Sequence, residues 1–118
     1  MYDKRQIKEN IERIIKEING RAALLAATKT VPPEIINFAA DCGITLIGEN
    51  RVQELLEKYD KIDRDRLDIH FIGHLQRNKV KYIIDKVSLI HSVDSLALAQ
   101  TIDQYAYRAG KRMDVLVE

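Results

Sequence analysis

The chain has a single cysteine, Cys42. That excludes an intramolecular disulfide and any zinc site built from several thiolates. Excess charge of either sign is also missing. Nineteen Lys+Arg stand against eighteen Asp+Glu, a formal net charge of +1. So small a net charge argues against a non-specific nucleic-acid binder and against a polybasic membrane contact. No apolar run approaches the roughly 20 residues that a membrane span needs. The run MYDKRQIKENIERI lacks the apolar core of a signal peptide, so a cytoplasmic location is expected. Linkers rich in Pro, Gly or Ser do not occur, nor do low-complexity stretches. Gly43 and Gly48 do not make a G-x-G-x-x-G fingerprint, and neither a Walker-type loop nor a G-x-S-x-G elbow is found.

What is present is the composition of a folded globular chain: 118 residues, 46% hydrophobic and 31% charged. This is one domain's worth. A chain this long can bury roughly two-thirds of its unfolded surface, enough for a core without cross-links. Ile7, Ile11, Ile14, Ile15 and Ile18 share one helical face, with Asp3 as a cap and Asn19-Gly20 as a stop. The apolar run Ala22–Ala27 reads as a strand, because Pro32-Pro33 soon after suits the first turn of a following helix. That helix is expected from Pro33 to about Cys42, ending at Gly43. The unit then recurs. Strands are expected at Ile44–Gly48, Ile69–Gly73, Leu89–Val93 and Asp114–Glu118. Between them, helical faces are marked by Val52, Leu55, Leu56 and Tyr59, by Val80, Ile83, Ile84 and Val87, and by Leu96, Ala99, Ile102, Ala106 and Ala109.

The order is one helix, four strand–helix units and a fifth strand at the end of the sequence. Alternation at this spacing implies parallel strands joined by right-handed crossovers. Strands apolar on both faces imply a sheet covered on both faces. The charged run Asp60–Arg66 reads as a solvated connection.

In parallel α/β proteins, ligands bind beyond the carboxyl ends of the strands. Polar residues collect there after each strand: Thr28, Lys29 and Thr30; then Glu49, Asn50 and Arg51; then His74, Gln76, Arg77 and Asn78; then His91, Ser92 and Asp94. Lys29 is the sharpest of them, because it follows an apolar run and its stem should start inside the sheet. A partly desolvated amine is nucleophilic enough to form a Schiff base with an aldehyde. A lysine that snorkels to solvent, or pairs with Glu49, is the alternative. His70 and His74 have the H-x-x-x-H spacing of a zinc pair only on a helix. On a strand they stand about 13 Å apart, too far for one metal. His70 and His91 are read as structural, and Cys42 as packing. No metal site is assigned.

Four strings taken together resemble one family: LLAATKT (24–30), IGENRVQE (47–54), HFIGHLQRNK (70–79) and IHSVD (90–94). They are similar to the pyridoxal-phosphate homeostasis proteins, the YggS/PROSC family, in order and spacing over nearly the whole chain. The resemblance implies the fold of the alanine racemase N-terminal domain, a (β/α)8 barrel that holds pyridoxal 5′-phosphate and has no established catalytic reaction. It makes Lys29 the lysine of the Schiff base. It puts Asn50 and His74 at the pocket from strands two and three, and Ser92 facing the cofactor from strand four. No catalytic residue is assigned. A full barrel takes at least about 200 residues. The expected architecture is therefore a single domain over 1–118, a parallel five-stranded half of the barrel that stops in strand five. The phosphate-binding loops and a basic partner for the pyridine nitrogen belong to the other half, so cofactor binding is expected to be weak or absent.

Three alternatives stand beside this reading. One is a fragment of an alanine-racemase-like enzyme. Another is a structural half-barrel module without cofactor. The third concerns the fold: a flattened, doubly wound, flavodoxin-like sheet with the Ile7–Ile18 helix crossing to the bare side. An uncovered inner sheet face and two open edges imply a homodimer or higher homo-oligomer.

Overall fold

The structure, a computed structural model, describes residues 2–118. The first helix, α1, spans Lys4–Ile18. Its start is fixed by Asp3, whose carboxylate accepts the Gln6 N–H. Its end is fixed by Asn19 in the left-handed conformation, φ 47°. Strand β1 (Ala26–Ala27) is only two residues long, shorter than the apolar run suggested. It is an edge strand with a neighbour on one side only. Helix α2 (Pro33–Asp41) begins on Pro33, where a missing N–H does no harm. Two further strand–helix units follow: β2 (Leu46–Glu49) with α3 (Val52–Lys58), and β3 (Asp68–Phe71) with α4 (Val80–Ile83). Short 3₁₀ turns extend the two helices, at Tyr59–Lys61 after α3 and at Arg77–Lys79 before α4. Then come β4 (Leu89–Val93), α5 (Leu96–Arg108) and β5 (Asp114–Val117). Ser95 caps α5 by accepting the Leu98 N–H.

The five strands lie in the order β1-β2-β3-β4-β5, all parallel. A doubly wound sheet would reverse direction part-way. This one never does, so the flavodoxin-like alternative is excluded and the half-barrel wall is the fold. Paired residues in parallel strands share a face. Glu49, Phe71 and Ile90 form one such row and are fully buried. Phe71 and Ile90, with Ile47 and Ile69, meet Ile36, Leu55, Val80, Ile83, Leu98 and Ile102 from helices α2 to α5 in one core cluster.

The opposite face carries Ala27, Gly48, His70 and Leu89 in register. Its larger residues, Leu25, Leu46, Ile72 and Leu89, are only half-buried. Covering on both faces, the sequence expectation, is therefore corrected. Helix α1 does not cross to the open side. It packs beside α2, and its Ile15 approaches Gly43. The apolar stripe of α1 meets one helix rather than a sheet, so Ile14 and Ile15 stay exposed.

Candidate functional site

The consecutive order of parallel strands sets the carboxyl ends of β1 to β4 along one edge. The backbone is tied along it. The Thr28 N–H donates to the Gly48 carbonyl at 3.0 Å, and the Ile72 N–H donates to the Glu49 carbonyl at 2.9 Å. Asn50 and Gly73 are in backbone contact, and the Ser92 hydroxyl donates to the Gly73 carbonyl. Lys29, Asn50, His74 and Ser92 therefore follow one another along the same edge of the sheet.

Their side chains have different settings. Lys29 is exposed, where a stem inside the sheet was expected. Thr28, one residue earlier, is the buried one. Lys29 sits in a turn that the Val31 N–H closes by donating to the Thr28 carbonyl at 3.0 Å. Among the described residues, no ion pair or hydrogen bond occupies its amine. It does not pair with Glu49, whose partner is Lys58. Asn50 and His74 line an open cleft of about 540 Å³ together with Arg51, Gln53, Gln76 and Lys79. Lys29 and Ser92 are not in its wall. The cleft carries cations and amides but no carboxylate. His74 is exposed and lies 3.8 Å from Asp94. Ser92 is buried, and its hydroxyl is engaged by Gly73.

Behind the lysine turn, on the helix side, lies a polar cluster that the sequence reading missed. Glu49 is fully buried, and Lys58 of α3 nearly so. The Lys58 ammonium donates to the Thr28 carbonyl at 2.8 Å and to Glu49 at 3.2 Å, and it pairs with Glu54. The Thr28 hydroxyl donates to Glu49 and, at 3.2 Å, to the Gly48 carbonyl. Glu54 accepts the Thr30 N–H at 2.7 Å. Burial pushes the Glu49 carboxyl above its ordinary range, against the pull of the Thr28 hydroxyl and the Lys58 charge. At Glu54 burial also pushes upward, but Lys58 and the Thr30 N–H outweigh it and hold the carboxyl low. One signal was available in the sequence. Lys58 stands three residues after the core residue Leu55, on the buried stripe of α3, and four after Glu54.

The two strand histidines meet on the open face. His70 Nδ1 and His91 Nε2 are 2.9 Å apart, so one ring donates to the other. Burial lowers the His70 pKa, His91 lowers it further, and Asp68 opposes. No group of three or more metal-ligating side chains occurs among the described residues.

The family model described as "Alanine racemase, N-terminal domain" matches residues 2–118. The chain belongs to that family. Within it, the chain is 46% identical over 120 residues to the pyridoxal phosphate homeostasis protein of Aquifex aeolicus, which covers 93% of this chain and 53% of the relative. It is 34% identical over 96 residues to the protein of the same name from Helicobacter pylori, across 80% of this chain and 43% of the relative. The PipY structure from Synechococcus elongatus, solved with pyridoxal phosphate bound, superposes with a TM-score of 0.87 at 34% identity. That match covers 92% of this chain and 52% of PipY. The chain thus spans about half the length of the curated relatives it matches. In this alanine racemase N-terminal fold, the five parallel strands are the N-terminal half of the barrel wall. No helix among the described residues is long and apolar enough to cross a membrane.

Proposed function

We propose that this chain is the lysine-bearing half of a pyridoxal 5′-phosphate carrier, which holds and releases the cofactor without turning over a substrate. The observation that carries the reading is Lys29. Lys29 is exposed in a turn at the carboxyl end of β1, the end of the sheet that also carries Asn50 and His74, and among the described residues its amine has no partner. Bound pyridoxal phosphate supplies an aldehyde, which condenses with an amine as water leaves. The donor set fits an anionic aromatic group: amides from Asn50, Gln53 and Gln76, cations from Arg51 and Lys79, and no carboxylate to repel it. Asn50 and His74 would orient the ring. Ser92 would act by fixing the β3 end through Gly73. In this reading the chain forms a homo-oligomer through its open face.

The test is borohydride reduction of a mixture of the chain with pyridoxal phosphate, followed by peptide mass spectrometry. A pyridoxyl adduct is expected on Lys29 and not on the more numerous surface lysines, and Lys29→Ala should remove it. Adducts spread evenly over many lysines would refute the reading. Arg51 and Lys79 are exposed, so solvent screens their charge. Pyridoxal and pyridoxal phosphate should therefore bind within about tenfold of each other. A much stronger preference for the phosphorylated form would assign the phosphate to the Arg51–Lys79 cleft.

A further inference from the structure

We propose that the buried cluster of Glu49, Lys58 and Glu54 is a positioning device for Lys29, which sets the turn that carries it from the helix side of the sheet. The inference rests on Lys29 being the cofactor lysine. Among the described residues the Lys29 amine has no partner, yet both neighbours of Lys29 are held by this cluster. On one side, Thr28 gives its hydroxyl to Glu49 and its carbonyl to Lys58 at 2.8 Å. On the other, Thr30 gives its N–H to Glu54 at 2.7 Å. Lys58 joins the two halves, because its ammonium reaches Thr28, Glu49 and Glu54 together.

Thr30 shows what the clamp does. Its φ is +63°, the left-handed region, which a β-branched residue enters only under constraint. Its hydroxyl is turned to the Lys29 carbonyl at 2.6 Å, so the charged acceptor at its N–H is the Glu54 carboxylate. Stability alone gives no reason for such a cluster. Buried ion pairs are often matched or bettered by well-packed apolar residues. What a network anchored on Thr28 and Thr30 supplies is a fixed path for the residue between them, and a side chain placed by its supports is the usual requirement of a binding site.

Lys58 is the obvious residue to change, but its loss leaves Glu49 buried and unpaired. Glu54→Ala is the better variant, since it removes the Thr30 acceptor and leaves the Lys58–Glu49 pair in place. The measurements are pyridoxal phosphate affinity by absorbance and amide exchange at Thr30 on the protein without cofactor, both well below the melting transition. Glu54→Ala is expected to weaken affinity about tenfold, the scale of one charged hydrogen bond. It should also speed Thr30 exchange by a similar factor. In the Glu54→Ala background, Thr30→Gly should restore affinity to within about threefold, because glycine takes the positive φ without a clamp. A merely structural role would lower the melting temperature of Glu54→Ala without moving affinity or permitting this rescue. Unchanged affinity in Glu54→Ala, with adduct still lost in Lys29→Ala, would overturn the positioning role and leave the lysine reading intact. If Lys29→Ala keeps full affinity and adduct yield, both fall.

Discussion

A methyl group at Gly73 would stand 2.0 Å from the carbonyl oxygen of Asn50, against backbone that cannot swing aside. At Gly48 the added carbon would instead meet the tips of Leu25 and Ile72, at 2.7 and 2.8 Å. Those side chains border the open face and can turn. Gly73→Ala should therefore destabilise by at least about 1–3 kcal/mol, the range of a forced backbone shift, and Gly48→Ala by less. Urea unfolding of the two variants checks the order. The histidine pair gives a pH prediction. The folded-state pKa of His70 lies below its ordinary 6.5. Below that value the unfolded chain binds the proton more readily than the folded one, so stability falls as pH drops. The denaturation midpoint should decline from pH 7.5 to pH 5.5, and His70→Phe should reduce the decline. An equal decline in that variant would assign it to other groups. At this scale Lys29 was legible, because a lysine directly after an apolar run is conspicuous. Its exposure was not, since burial depends on the opposing wall and not on the neighbours in sequence.

Helix α3 and strand β2 show the same division among the elements. Both were legible from their apolar periods, and so were the start of α1 at Asp3 and its stop at Asn19. The lysine that locks the two together was not. Lys58 occupies a core-facing position, but its partner Glu49 is nine residues away, on a strand whose facing side the period alone leaves undecided. Lys58→Ala should cost about 3–5 kcal/mol, since it strands a buried carboxylate. Lys58→Met should cost a similar amount in the wild-type background and much less when paired with Glu49→Gln. Chemical denaturation of the three variants checks this, and equal losses in the single and double variants would argue against coupling. Two other elements were misjudged in length for local reasons. Strand β1 shrinks to two residues, because only Ala26 and Ala27 find ladder partners on β2. The Val80–Val87 stripe yields a single α-helical turn and then a looser turn, although Val80, Ile83, Ile84 and Val87 are all buried as the period required. Ser95→Ala tests the cap on α5, with an expected loss of about 1 kcal/mol.

For the whole molecule, the consecutive strand order decides the shape. Strands that always step the same way, with helices α2 to α5 packed on one face, form a curved wall with an uncovered inner side. The radius of gyration is 15.1 Å, against about 13–14 Å for a compact chain of this length. The accessible surface is 7681 Å², whereas a compact monomer of this size exposes about 6,600 Å². The excess, about 1,100 Å², exceeds the roughly 800 Å² that each partner contributes to a standard interface. Part of it lies on α1, where Ile14 and Ile15 are exposed. Part lies on β5, where Leu116 is 49% and Val117 83% exposed at the open edge of the sheet. An edge strand with apolar side chains and unpaired backbone groups invites pairing with another chain. The expected outcome in sedimentation is a dimer or higher oligomer at micromolar concentration. Leu116→Lys and Ile72→Lys mark the edge and the open face, and the one that falls in the contact should shift the equilibrium toward monomer without changing the helical circular dichroism. The two also separate the modes of association. If β5 edges pair, Leu116→Lys acts and Ile72→Lys has little effect. If two open faces close on each other, Ile72→Lys acts more strongly, because it sets a charge among Leu25, Gly48 and the two histidines. A monomer at micromolar concentration in the unsubstituted chain would show that this wall is stable uncovered.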